Sequence, residues 1–139
     1  MTDFKADSSL GWIGDIEALS VANDHFRKVE HTGAHAQLTL MSIAPGEEIG
    51  WEAHDGLDQF LRLEQGQGRV DFGRSEDQVD ESFEVSDDWA IIVPAGVWHN
   101  LVNTGDKPVK LYSIYSPPEH PAGTIHPTKA DAEADEHHH

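Results

Sequence analysis

The chain has 139 residues, no cysteine, and nine basic against 26 acidic side chains, for a formal charge of −17. That length suits one domain with a core of its own, and the missing thiols exclude a disulfide scaffold, thiolate zinc sites and cysteine nucleophiles. So acidic a surface repels phosphate backbones and anionic lipids, which makes nucleic acid and membranes unexpected partners; it serves solubility or adaptation to high salt. No stretch is apolar for long enough to span a bilayer, and Met1-Thr2-Asp3-Phe4-Lys5 does not open a signal peptide, so the expected location is the cytoplasm.

Residues 1–23 are mixed in character and predict a short helix or an edge strand, within an N-terminal extension over 1–35. From residue 36 short apolar or alternating runs recur, each closed by turn residues. They predict strands at 36–43, 49–54, 59–64, 69–72, 82–85, 89–93, 99–103 and 109–115. Ala44-Pro45-Gly46, Asp55-Gly56-Leu57-Asp58, Gly66-Gln67-Gly68 and Pro94-Ala95-Gly96 are among the breakers. Strands this short and this numerous imply an all-β sandwich or barrel over 36–116. The remainder, 117–139, reads as an arm and an acidic tail. The tail is a short helix or disordered, and His137, His138 and His139 resemble the start of a purification tag.

Period-two geometry puts Glu52 and His54 on one face of the strand predicted at 49–54. After a tight turn Gln59 begins the next strand, and a hairpin would set it beside His54. His99 follows the rigid Pro94-Ala95-Gly96 turn, and closing a barrel would bring it opposite. The spacing then becomes specific. Gly46, five residues, Glu52-x-His54, four residues, Gln59, six residues and Gly66 form one motif. Asp88, five residues, Pro94-x-Gly96, two residues, His99, three residues and Asn103 form another, 21 residues on. In order and spacing the pair resembles the two motifs of the cupin family. The resemblance implies a double-stranded β-helix, or jelly-roll, barrel with minor helical or irregular ends. It also implies one divalent metal ion held by Glu52, His54, Gln59 and His99, a small-molecule ligand and a homodimer.

Two ligand positions depart from the family pattern. Glutamate stands for the first histidine and glutamine for the usual glutamate, so the single carboxylate moves from one position to another and the site charge is kept. Two histidines and a carboxylate suit many non-haem iron sites, and two oxygen donors favour manganese or iron over zinc or nickel. Asp88 replaces the family's glycine, which touches a turn and not the metal. Some cupins have lost their metal, and there Glu52 and His54 would be a buried hydrogen-bonded pair.

Alternation predicts Gln59, Leu61 and Leu63 inward with Phe60, Arg62 and Glu64 outward. On the last strand it puts Lys110 in solvent and Leu111, Ser113 and Tyr115 inward. Tyr115 is the candidate catalytic residue, its hydroxyl offered to a substrate, with a structural hydrogen bond as the alternative. Trp51 and Phe60 are expected between sheets or at a dimer interface, and Trp98 over the barrel mouth. His35 and Gln37 are expected at an exposed edge, with support of the metal ligands as the alternative; 116–126 is expected as a surface arm, with folding over the barrel and His120 or His126 reaching the cavity as the alternative; His25 and His31 are expected at the surface. Among the smaller cupins the stretch Gly46-Glu47-Glu48-Ile49-Gly50, with Glu52, His54 and Asp58-Gln59-Phe60, resembles those described as similar to mannose-6-phosphate isomerases. Only Arg27, Lys28 and Arg62 offer positive charge near the core, which makes no obvious phosphate clamp. Three functions compete: a metal-dependent oxygenase, isomerase or lyase acting on a small oxygenated or carbonyl-bearing molecule, a non-catalytic binding or sensor barrel, and a sugar or sugar-phosphate isomerase.

Overall fold

A computed structural model describes residues 4–136; the terminal histidines and Met1-Thr2-Asp3 lie outside the described residues. Helix α1 (Ile16–Ala22) begins at Asp15, whose carboxylate accepts from the Ala18 N–H as an N-cap. Nine strands follow: β1 (Arg27–Thr32), β2 (Gln37–Ile43), β3 (Asp58–Gln65), β4 (Gln67–Gly73), β5 (Glu81–Ser86), β6 (Ala90–Val93), β7 (Trp98–Asn103), β8 (Val109–Ser116) and β9 (Ile125–His126). Helix α2 (Lys129–Glu136) comes next and covers the acidic part of the tail. No helix among the described residues is long and apolar enough to cross a membrane.

The strands form two antiparallel sheets, in the orders β6-β3-β8-β2-β1-β9 and β5-β4-β7. The inward faces supply the core, with Met41, Ile43, Leu63, Val109 and Leu111 all fully buried. Residues paired across antiparallel strands share a face. Three inner rows therefore cross the large sheet. Thr32, Gln37, Tyr115, Gln59 and Val93 form the first; Val29, Thr39, Ser113, Leu61 and Ile91 the second; Arg27, Met41, Leu111 and Leu63 the third.

Three expectations need correction. Residues 49–54 form no strand. Gly50 takes φ +118°, a region few other residues adopt, and only isolated bridges, Glu48–Val102 and Glu52–His99, tie the segment to β7. The expected hairpin with β3 is therefore absent, and β3 pairs with β6 and β8 instead. Lys110 does point outward, but outward here is not solvent. The end of α1 covers it, its Nζ donates to the Asn23 carbonyl at 2.6 Å and lies 3.3 Å from Asp24, and it is buried. A cation is favoured there because the last carbonyls of a helix are electronegative. Gln37, expected exposed, is buried on the inner face. Asp88 occupies φ +73°, which accounts for the family's glycine at that turn; aspartate is among the few side chains that tolerate it.

Candidate metal centre

The 44–57 segment is laid along β7 by a set of backbone bonds. The Glu52 N–H donates to the His99 carbonyl at 3.0 Å and the His99 N–H returns to Glu52 at 2.8 Å. The Ile49 N–H donates to Leu101, and the Gly50 N–H to the Asn100 side-chain oxygen at 2.8 Å. The His54 carbonyl accepts from Gly96, and Asp58 accepts from the Ala95 N–H. Each motif thus holds the other: the Pro94-Ala95-Gly96 turn grips the loop that carries Glu52 and His54, and β7 delivers His99.

The ligating atoms of Glu52, His54 and His99 all lie within 4.8 Å of one another. His54 Nε2 is 3.1 Å from a Glu52 carboxylate oxygen, yet the two lack hydrogen-bond alignment and Nε2 has no hydrogen-bond partner. His99 donates through Nδ1 to the Val97 carbonyl at 3.0 Å, which leaves its buried Nε2 lone pair also without a partner. Gln59 Oε1 is another buried acceptor with none. Gln59 faces inward beside Tyr115, whose ring meets the His54 ring edge-on at 6.1 Å. Buried acceptors such as His99 Nε2 and Gln59 Oε1 are costly without a donor unless something electropositive meets them. Two imidazoles and one carboxylate at this spacing fit a divalent cation.

Charge coupling inside the cluster is strong. The Glu119 carboxylate, then that of Glu52, push His54 up to about 10 against the opposing effect of burial. Burial would raise Glu52, but the His54 ring beside it outweighs that and holds it below the usual carboxylate range. Burial lowers His99, more than the Val97 bond and Glu52 raise it. Burial also raises Tyr115, so its phenol stays protonated.

The arm was expected at the surface, and its first half is not there. Gln37 explains why. Its amide nitrogen donates to the His120 carbonyl at 2.7 Å and to Thr32 Oγ1, while its oxygen accepts from the N–H groups of Glu119 and His120. This brings Glu119 to 3.1 Å from His54 Nδ1, on the far side of the ring from Glu52. His120 stacks edge-on against Tyr115 at 5.2 Å. His126 is buried beside Arg27. His31 and His35 are exposed, as is much of the rest of the arm. Trp98 packs on Trp51 at 6.0 Å, and Phe60 lies beside Tyr112. Glu119 has no signal in the sequence; His120 is legible only as one of two histidines that the stiff arm could carry over the barrel, and Arg27 only as a basic residue near the core.

Fold and site together define a β-barrel with a histidine–carboxylate centre at its mouth. A family model described as a cupin domain matches residues 39–115, and the chain belongs to the cupin family. It is 54% identical over 125 residues to the uncharacterized protein YrkC of Bacillus subtilis (strain 168), covering 90% of this chain and 67% of that one. The crystal structure of BH2720 from Bacillus halodurans is 51% identical, with a TM-score of 0.89 over 94% of this chain and 98% of that one. Bacillus subtilis oxalate decarboxylase shares the fold alone, at 19% identity and TM-score 0.54 over 60% of this chain and 22% of that one.

Proposed function

We propose that this cupin is a metal-dependent enzyme acting on a small oxygenated or carbonyl-bearing molecule. Glu52, His54 and His99 hold one divalent ion, with Gln59 as a neutral fourth donor and manganese or iron favoured. The observation that carries this reading is the trio of ligating atoms within 4.8 Å, two of them buried imidazole nitrogens without a hydrogen-bond partner. A divalent ion in such a set supplies Lewis-acid polarisation to a bound oxygen. The chain's own groups do the rest. Glu119 and the Val97 carbonyl fix the two imidazole rings from behind, which sets their tautomers and keeps their free nitrogens facing the site. Tyr115, kept protonated by burial, is placed to donate a hydrogen bond to a substrate oxygen. The 119–120 segment closes one side of the mouth and limits water.

Metal analysis of untagged protein is the direct test, run beside Glu52→Ala and Gln59→Ala. We expect about one divalent ion per chain in the wild type, near-complete loss in Glu52→Ala, and retention with roughly tenfold weaker affinity in Gln59→Ala, since only the first removes the site's charge. Wild-type protein with no metal, and no thermal stabilisation by manganese, iron, zinc or nickel, would overturn the reading. Iron-dependent oxygen uptake would then single out oxygenase chemistry, and aldose–ketose exchange without oxygen an isomerase.

A further inference from the structure

We infer that the inner end of this site takes a small monoanionic carboxylate, whose carboxylate group is held by Arg27 with help from Thr39 and Ser113. The inference rests on the metal-centre reading only for where the other end of the substrate goes.

Arg27 is 4% exposed and shares the inner face with Met41 and Leu111. A guanidinium so buried is normally paired with a carboxylate, because removing the charge from water is expensive. Among the described residues no ion pair to Arg27 occurs. Its one hydrogen bond runs from Nη1 to His126 Nδ1 at 3.3 Å. Nδ1 accepts there, and His126 directs its other nitrogen to Asp135 at 2.9 Å. The Arg27 Nε–H is buried without a partner, and the Phe26 ring lies 5.4 Å from the guanidinium carbon. Arg27 is therefore oriented by His126 and supported by Phe26, with donors to spare.

Between Arg27 and the mouth lies the second inner row. Thr39 and Ser113 sit opposite each other in it, both fully buried, and neither hydroxyl has a hydrogen-bond partner. Ser113 is near Tyr115, but without the alignment of a hydrogen bond. The first row, with Tyr115 and Gln59, borders the metal cluster. A line of unused donors thus leads from the centre inward to a fixed cation. The Arg27 charge is also felt at Glu52, Tyr115, Glu119 and His120, which places it within electrostatic reach of the whole site.

Charge decides the ligand class. A planar fork with neighbouring hydroxyls matches a carboxylate. Apart from a bound metal ion, a phosphate dianion would meet one cation and two nearby carboxylates, Glu52 and Glu119, and among the described residues Lys5, Lys28 and Lys110 are engaged elsewhere. Of the other basic candidates, Arg62 faces outward onto Glu64 and Asp88, and Lys28 lies near Glu30. The sugar-phosphate reading is disfavoured accordingly.

Calorimetric titration of the untagged protein with glycolate, its neutral isostere glycolamide and inorganic phosphate tests this, with manganese present and after EDTA treatment. We expect glycolate to bind at least about tenfold more tightly than glycolamide or phosphate. Arg27→Met should erase most of that preference while manganese content stays at the wild-type level. Should Arg27→Met fail to fold, Thr39→Val and Ser113→Ala serve instead, each weakening glycolate selectively. Equal binding of glycolate and glycolamide, preferential phosphate binding, or a glycolate affinity indifferent to these substitutions would overturn the inference. Arg27-dependent glycolate binding in a protein that takes up no metal would uphold it while removing the metal-centre reading.

Discussion

His54 stands between two carboxylates, Glu52 on one nitrogen and Glu119 on the other. The two do different work. Glu52 lies close to the inner nitrogens of both histidines and belongs to the proposed ligand set, whereas Glu119 reaches only the rear nitrogen of His54. A carboxylate behind a ligating imidazole fixes ring orientation and raises ligand basicity, and losing one typically costs about 10–100-fold in metal affinity. Glu119→Gln keeps the shape and removes the charge, so we expect manganese affinity to fall by roughly tenfold, measured by competition with a chromophoric chelator. An unchanged affinity would mean that Glu119 does not orient His54. Glu52 and His99 stand where the resemblance to the cupin motifs implies metal ligands. Glu119 was not legible, because nothing local says which way a chain turns after Pro117-Pro118; that is decided by Gln37, 82 residues earlier and three hydrogen bonds away from being an edge residue.

At the scale of elements, the metal loop is a passenger on β7. Residues 49–54 alternate as a strand should, yet Gly50 breaks the extended run, and the backbone polarity left over is absorbed by β7 and by Asn100. Asn100 is buried and its side-chain oxygen accepts from Gly50 N–H at 2.8 Å. Asn100→Ala leaves that donor unpaired in a poorly hydrated place, at an expected cost of about 1–3 kcal/mol by chemical denaturation. Because the bond sits two residues from Glu52, metal retention should fall with it. Lost stability with metal affinity intact would show that the loop holds its ligands without β7.

Across the whole molecule, the arm over the barrel mouth makes stability depend on acidity. His120 is lowered to about 4, mainly by burial and then by the Arg27 charge, opposed by Glu119 and Glu52; His126 adds a smaller push downward. Tyr115 packs on the same ring. A histidine held neutral in the folded state contributes stability that is present above its unfolded value of 6.5 and is lost as pH falls from there towards 4, because the unfolded chain binds the extra proton. Thermal unfolding of the wild type should therefore weaken across that window, and His120→Phe should flatten this part of the profile. A difference between the two proteins that does not vary with pH would sink the idea. Carboxylates lowered by His54, Glu52 and Glu119, act in the same direction but further into acid.

The sequence by itself determined the barrel, and its resemblance to the cupin motifs pointed to the histidine–carboxylate set. Strand alternation and turn residues are local, and the two motifs carry their spacing in the chain. Tertiary structure alone decided what surrounds the set. Lys110 points outward as its parity demands, but only the fold shows α1 waiting there. Arg27 has the parity of an inward residue on a strand that no local pattern marked, and only pairing with Met41 and His126 makes it a buried cation. Parity along a strand is written in the chain; which surface a face meets is set by elements distant in sequence, and the enclosure of this site depends on that.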